Sequence, residues 1–233
     1  MLDFGFYNMD CMDGMREFPD KYFDLAIVDP PYGLNITGRH RNKVGHASIV
    51  GGARSFGGAK RNAGTKKAED KIPPGFYHPF NDGTTPDADY FTELRRVSKN
   101  QVIWGGNFFL DYLGATSCMI VWDKARRGLS QADCEIAWTS FKGQSRVFNF
   151  KWNGMLQEDM KHKEKRIHPT QKLVKLYEWI LERFTKPGDI ILDTHVGSAS
   201  SLIACRNTEH QYVGFEIEKY YYDIACERME QLP

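Results

Sequence analysis

Hydrophobic positions along the 233-residue chain fall into short apolar runs separated by longer periodic stretches. Five of the runs lack polar alternation, which is typical of strands buried on both faces of a parallel sheet. These runs are residues 25–28, 102–104, 119–122, 190–192 and 212–215, and Phe4 to Asn8 and Cys134 to Thr139 are weaker strand candidates.

Periodic stretches between the runs predict helices. From Leu173 to Phe184 the apolar side chains recur at positions i, i+3, i+4, i+7, i+8 and i+11, which makes one stripe on a helix. Pro169 or Thr170 is expected to start this helix. Residues 87–97 and 217–228 predict two more helices. Strands that alternate with helices predict an α/β fold, an open sheet with helices on both faces.

Two glycine-rich or irregular stretches, residues 33–80 and 142–168, interrupt this pattern. The net charge of the chain is only +1, but residues 33–71 carry nine basic and two acidic side chains, and residues 142–175 carry nine and three. Basic segments of this kind suit a polyanion such as nucleic acid. Each segment alone is equally consistent with a solvated charged loop.

Composition and short sequence features indicate the cellular environment in which the chain is expected to work. Hydrophobic residues make up 41% of the chain, and no run approaches the roughly 18 apolar residues of a membrane helix. Met1 to Asp10 lacks the basic segment of a secretory signal. Five scattered cysteines without a Cys-x-x-Cys pair argue against a disulfide framework or a metal site. We therefore expect a cytoplasmic protein with no membrane partner.

The tetrapeptide Asp29-Pro30-Pro31-Tyr32 directly follows the apolar run 25–28. Ligands of open α/β sheets bind beyond the carboxyl ends of strands, and two prolines stiffen the turn there. An exocyclic amino group could donate one hydrogen to the Asp29 carboxylate and one to the Pro30 carbonyl, while a base stacks on Tyr32. Enzymes that flip a base out of a duplex need such a pocket. The alternative is an ordinary strand end with two turn prolines and a packing tyrosine.

A second candidate site follows the run 190–192. Asp193-Thr194-His195-Val196-Gly197-Ser198-Ala199 forms a small-residue turn before a helix, which lets a ligand approach the backbone closely. Glu216 lies 23 residues beyond Asp193, at the end of the next predicted strand, where an acid can bind ribose hydroxyls. Glu216 could equally cap the helix that follows it.

His168-Pro169-Thr170-Gln171-Lys172 is a third motif, which on its own is more typical of a helix cap beside a histidine. Taken in order, Asp29-Pro30-Pro31-Tyr32-Gly33, this pentapeptide, and Pro187-Gly188-Asp189 leading to Asp193 and Gly197-Ser198 resemble the DNA amino-methyltransferase family. The order is similar to the permuted β group of that family, in which the catalytic motif precedes the cofactor motif.

This resemblance implies a Rossmann-like fold with a mostly parallel, seven-stranded sheet and S-adenosylmethionine as the cofactor. It implies that Asp29 contacts the target amino group near the cofactor and that Tyr32 stacks on the flipped base. The methionine part would be held by Asp193 and its turn with Thr170 and Lys172, and the ribose by Glu216. The remaining implied cofactor residues are Asp10, Cys11, His168, Thr194, His195, Gly197 and Ser198. Asp10-Cys11 could instead be an ordinary helix cap.

The implied organisation is one methyltransferase domain. Residues 1–32 and 81–140 would form its catalytic half and residues 168–233 its cofactor half, with 33–80 and 142–167 as inserts that contact double-stranded DNA. The family turn usually reads Asp-Pro-Phe-x-Gly-Ser-Gly, so Thr194, His195 and Ala199 are departures. We expect N6-adenine methylation. N4-cytosine methylation, an RNA substrate and a non-catalytic nucleic-acid-binding relative stay open, as do a homodimer and a cognate restriction endonuclease.

Overall fold

The computed structural model describes residues 1–34, 77–78, 80, 82–128, 132–153 and 156–231. Its strands are β1 (Gly5–Tyr7), β2 (Phe23–Val28), β3 (Ser98–Trp104), β4 (Met119–Asp123), β5 (Cys134–Thr139), β6 (Arg146–Asn149), β7 (Trp152–Asn153), β8 (Leu156–Gln157), β9 (Ile190–Asp193) and β10 (Gln211–Phe215). Its α-helices are α1 (Cys11–Arg16), α2 (Ala88–Val97), α3 (Leu110–Leu113), α4 (Val174–Phe184), α5 (Ser200–Asn207) and α6 (Lys219–Gln231), and Gly106–Phe108 forms a 3₁₀ turn. Each predicted apolar run and both weaker candidates are strands.

The main sheet has the strand order β1-β10-β9-β2-β3-β5-β4-β6. Only β5 is antiparallel to its neighbours in this described sheet, so the predicted mostly parallel α/β architecture is confirmed. The expected count of seven strands is wrong, because β6 adds an eighth at the edge.

The prediction that residues 142–168 are irregular is also wrong in part. This stretch contains β6 and the separate β7–β8 hairpin. Most side chains of β6 are exposed, so the strand has no apolar run that a hydrophobic pattern could reveal.

Two hydrophobic cores cover opposite faces of the sheet, and β2 contributes to both. Leu25 and Ile27 join the core formed with α4 and α5, whereas Ala26 and Val28 join the core formed with α1 and α2. Alternate side chains of a strand point to opposite faces. An unbroken apolar run is therefore required here, because both faces of β2 are covered by helices.

The helix after the His168 motif begins later than predicted. Neither Pro169 nor Thr170 starts α4, because the Thr170 hydroxyl lies 3.0 Å from His168 Nδ1 and the motif stays a turn. The helix begins at Val174, whose backbone N–H donates to Glu164 Oε1 at 2.9 Å. A carboxylate ten residues away thus replaces the local cap.

The C-terminal helix begins at Lys219 rather than at Ile217. Most of the predicted insert 33–80 lies outside the described residues. Within the described ranges, no helix is long and apolar enough to span a membrane.

Candidate active site

The predicted site residues meet where four parallel strands end. Strands β1, β10, β9 and β2 are consecutive neighbours, and Asp10, Glu216, Asp193 and Asp29 stand at or just beyond their carboxyl ends. The chain leaves β9 towards β10 on one side and leaves β2 towards β3 on the other. The two acids Asp29 and Asp193 therefore flank the point where the strand order reverses, which is where open α/β sheets bind ligands.

Both carboxylate oxygens of Asp29 accept hydrogen bonds from side chains. The Tyr32 hydroxyl donates to Oδ1, and the Lys172 ammonium donates to Oδ2. The aspartate of the first motif and the lysine of the third are thus in direct contact across 143 residues of sequence. The implied contact of Lys172 with the methionine part of a cofactor stays a prediction, and the structure shows its ammonium on Asp29. The backbone carbonyl of Lys172 accepts a hydrogen bond from Ser200 Oγ at 2.7 Å, which connects Lys172 to the start of α5.

Aromatic rings surround Tyr32. Its ring stacks on the half-exposed Phe108, with centroids 5.1 Å apart and planes 15° apart, and meets Phe109 edge-on. Gly105, at φ +64°, lies so close that a Cβ there would stand 2.2 Å from Tyr32 Cε1. Glycine is needed at that position both for the left-handed backbone and for the space that the ring occupies. Sequence reasoning did not identify Gly105, Phe108 or Phe109.

A second buried carboxylate anchors the turn after β9. Asp193 accepts from the backbone N–H of His195 at 3.0 Å and from the Ser201 hydroxyl. Burial raises the pKa of Asp193 to about 7, because it outweighs the hydrogen bonds that favour the ionised form. A cationic ligand group beside Asp193 would therefore favour the ionised form, which burial alone disfavours.

Two of the three residues that differ from the usual family turn, Thr194 and His195, make side-chain contacts, and the third, Ala199, has an unusual backbone conformation. Thr194 Oγ1 lies 2.7 Å from the Tyr90 hydroxyl and 2.9 Å from His195 Nδ1. Burial lowers the pKa of His195 to about 4, so its ring is neutral at pH 7. Ala199 occupies the left-handed region at φ +61°, directly before α5. That conformation suits the glycine of the usual family turn better than alanine.

Glu216 accepts two backbone hydrogen bonds, one of which fits its alternative interpretation as a helix cap. Its Oε2 accepts from the backbone N–H of Gly197 at 2.8 Å, and its Oε1 accepts from the N–H of Glu218 at 2.9 Å. The first bond ties β10 to the turn after β9, and the second precedes α6 in the manner of a cap. Ribose contact by Glu216 stays a prediction.

The third motif packs beside this turn rather than onto Asp193. His168 is buried, its ring lies 3.6 Å from the position of a Cβ on Gly197, and it meets Tyr221 edge-on at 4.3 Å. Burial, with Arg166 and Lys172 nearby, lowers the pKa of His168 to about 3. Ser198 lies in the same region, and its carbonyl accepts from Arg228 at 2.7 Å. Arg228 also binds Glu164 at 2.7 Å, and the sequence predicted only that it lies in the C-terminal helix.

A cavity of about 240 Å³ joins three of the predicted segments. Cys11, Pro31 and His195 line it together with residues that sequence reasoning missed, namely Met12, Thr84, Thr85, Pro86, Asp87 and Tyr90. The Asp10 carboxylate is used as the N-cap of α1, which was the alternative interpretation, while Cys11 faces the cavity. Asp87, at the start of a predicted helix, caps α2.

Comparison with known proteins adds to this geometry. Residues 121–227, just under half of the chain, match the family model N6_N4_Mtase, described as DNA methylase. The type II methyltransferase M.HpaI of Haemophilus parainfluenzae is 36% identical over 69 residues, which is 30% of this chain and 22% of that protein. M.BglII of Bacillus subtilis is 38% identical over 72 residues, 31% of this chain and 20% of that protein. The matched segments thus span less than a third of these relatives.

Solved structures share the fold over almost the whole chain. A crystal structure of M1.HpyAVI in complex with SAM has a TM-score of 0.54 and 21% identity, and covers 96% of this chain and 98% of that chain. TTHA0409 of Thermus thermophilus, described as a DNA modification methylase, has a TM-score of 0.57 and 17% identity, with 99% and 97% covered. Identities this low show the fold alone. Residues 121–227 therefore resemble the DNA methylase family, and short segments of the chain are similar to type II DNA methyltransferases.

Proposed function

We propose that this chain transfers a methyl group from S-adenosylmethionine to the exocyclic amino group of a DNA base, the N6 group of adenine. The observation that carries the proposal is the position of Asp29. It stands at the carboxyl end of β2, beside the end of β9 that carries Asp193, and in contact with the aromatic ring system of Tyr32.

The residues around the turn after β9 fit such a cofactor. Asp193, whose pKa is raised by burial, would face its cationic methionine part, and Glu216 would bind the ribose. The cavity between Pro31 and His195 would take its remaining contacts, together with Cys11. Thr170 and His168 support this wall through their mutual bond and the packing of His168 on Gly197. When bound, S-adenosylmethionine supplies an activated methyl group.

The chain itself positions the base. Asp29 would accept one hydrogen of the amino group and the Pro30 carbonyl the other, which directs the nitrogen lone pair towards the methyl donor. Tyr32 would stack on the flipped ring. Placing both reactants at one strand edge makes the transfer an oriented step rather than a bimolecular encounter. No side chain needs to form a covalent bond to the substrate.

Double-stranded DNA is the proposed partner. The described part of 142–167 carries exposed basic side chains at Lys142, Arg146, Lys151, Lys161, Lys163, Lys165 and Arg166. Phosphate contacts from such residues supply salt-sensitive affinity without sequence specificity. A cytoplasmic location, a homodimer and a paired restriction endonuclease belong to the same proposal. They draw support only from the family.

N4-cytosine methylation is the second candidate. The matching family model covers both N6 and N4 enzymes, and the solved PvuII methyltransferase, described as cytosine-N4-specific, has a TM-score of 0.56 at 13% identity and covers 98% of this chain and 86% of that chain. The resemblance favours adenine, because the cytosine group more often has serine where this chain has Asp29. Both reactions would use the same contacts to an amino group.

The test is transfer of labelled methyl from S-adenosylmethionine to unmethylated duplex DNA, followed by digestion and mass analysis of the nucleosides. N6-methyladenine supports the proposal, and N4-methylcytosine replaces it with the second candidate. Absence of both label and cofactor binding, with DNA binding retained, indicates a non-catalytic relative.

The variant Asp29→Ala tests directly whether Asp29 is required for methylation. We expect it to abolish methylation while the chain stays folded, because Lys172 keeps Glu135 as a partner at 3.3 Å. Asp223→Ala is the matched control, since Asp223 makes an exposed ion pair with Lys219 on α6. Near-normal turnover in Asp29→Ala would defeat the assignment.

A further inference from the structure

A chain of alternating charges begins at Asp29. The Lys172 ammonium binds Asp29 Oδ2 and also lies 3.3 Å from Glu135 Oε2. Glu135 in turn binds the ammonium of Lys124 through its Oε1. The Lys172 side chain is only 3% exposed, so its charge depends on these two carboxylates. Glu135 and Lys124 have no part in the contacts proposed above for methyl transfer.

Asp29 would be shared between three partners when a target binds. Each of its oxygens already accepts one hydrogen bond, from Tyr32 and from Lys172, and a target amino group would compete with the Lys172 ammonium for the charge of the same carboxylate. A buried ammonium that leaves one carboxylate without reaching another would carry a large desolvation penalty. Glu135, within 3.3 Å of the same Nζ, is a second acceptor that Lys172 can reach with little movement.

We propose that Glu135 is a positioning residue for methyl transfer, which takes over the Lys172 ammonium when a target amino group engages Asp29. The inference rests on the proposed function of Asp29. It names the group that frees Asp29 to bind substrate, and it assigns Lys172 to charge balance at the base-binding carboxylate.

The surroundings of Glu135 suit this function. Burial alone would raise its pKa, but the ammonium groups of Lys172 and Lys124 outweigh burial and lower the pKa to about 2. Glu135 is therefore ionised throughout the physiological range. The two lysines are further oriented by tryptophan rings, with Lys172 Nζ 5.2 Å from the Trp104 centroid and Lys124 Nζ 4.6 Å from the Trp122 centroid. Aromatic faces attract such cations and limit where the ammonium groups can move.

Glu135→Gln in the full chain tests the proposal, with kcat measured on unmethylated duplex DNA at saturating S-adenosylmethionine. We expect kcat to fall about tenfold, because an amide cannot balance the charge of Lys172. The Kd of the cofactor, from calorimetry, should change by less than about twofold. Glu135→Asp should recover part of kcat. Glu93→Gln is the matched control, since Glu93 is a partly buried glutamate paired with Arg96 on α2, and it should keep wild-type kcat.

A double-mutant cycle separates positioning from general stability. If Glu135 acts through Lys172, Glu135→Gln should change kcat less than about twofold in a Lys172→Met background. Wild-type kcat in Glu135→Gln, or losses that multiply in the double variant, would overturn the inference. A lowered Tm with unchanged kcat overturns it too, because it shows a purely structural ion pair. If the wild-type chain transfers no methyl to DNA, the proposed function itself fails.

Discussion

Asp193 is expected to make the folded chain less stable as the pH rises, and Asp193→Asn should remove this effect. The carboxyl group is 2% exposed, and burial raises its pKa from 3.8 to about 7. Between these two pH values the folded state holds a proton that the unfolded state has released. Stability therefore decreases with rising pH across this window and becomes constant above it.

The size of the effect follows from the shift. One pKa unit corresponds to about 1.4 kcal/mol, so ionisation of Asp193 should cost about 2 kcal/mol between pH 5 and pH 7. The further cost between pH 7 and pH 8 should stay below about 0.5 kcal/mol. As the pH rises, the free energy of unfolding of Asp193→Asn minus that of the wild type should increase by these amounts.

Urea unfolding of both proteins at pH 5, 6, 7 and 8 measures this difference. Other titrating groups contribute equally to both proteins and cancel, including His168 and His195, whose pKa shifts have causes other than Asp193. A difference that is independent of pH would refute the reasoning. The same variant should lose affinity for S-adenosylmethionine if Asp193 faces its cationic part.

Three further predictions concern single side chains. His168 and His195 are neutral when buried, with pKa values lowered to about 3 and about 4, so the unfolded state gains protons first as the pH falls from 7 to 5. Each histidine should therefore lower the free energy of unfolding by about 2 kcal/mol over this range. In the wild type Asp193 opposes this loss, so Asp193→Asn should lose about twice as much stability as the wild type in urea unfolding between pH 7 and pH 5. Gly105→Ala should lower the free energy of unfolding by about 2 kcal/mol or more and should lower methylation, because its Cβ would stand 2.2 Å from the Tyr32 ring. Gly188→Ala is the control for backbone strain, since Gly188 lies at φ +89° with open space around it. Equal losses of activity in the two variants would contradict the clash with Tyr32. Lys172→Met should cost about 3–5 kcal/mol in urea unfolding, since Asp29 loses its counter-charge, and a loss below about 1 kcal/mol would show that the pair is dispensable for stability.

The sequence by itself determined the class of fold and the edge at which the site lies. Apolar runs such as residues 25–28 must be covered on both sides, because each alternate side chain needs its own core. A polar motif directly after such a run has to stand at the carboxyl end of its strand. Asp29, Asp193 and Glu216 could therefore be placed before any contact was known.

Local patterns could not reveal what distant segments do to each other. Glu135 reaches Lys172 only because β5 enters the sheet antiparallel beside β3, and nothing in its neighbourhood along the chain marks it. Edge strand β6 lacks an apolar run because most of its side chains are exposed. The start of α4 depends on Glu164, a cap supplied from another part of the chain.

The tertiary structure also decided how the recognised residues are engaged. Contact of Lys172 with the methionine part of a cofactor, which the resemblance implied, stays a prediction, and the fold adds a bond from its ammonium to Asp29 that the sequence did not predict. The reason is electrostatic and non-local, because a buried ammonium must lie where carboxylates from other strands converge. Hydrophobic periodicity specifies which side chains are buried, but only the packed sheet specifies which buried charges meet.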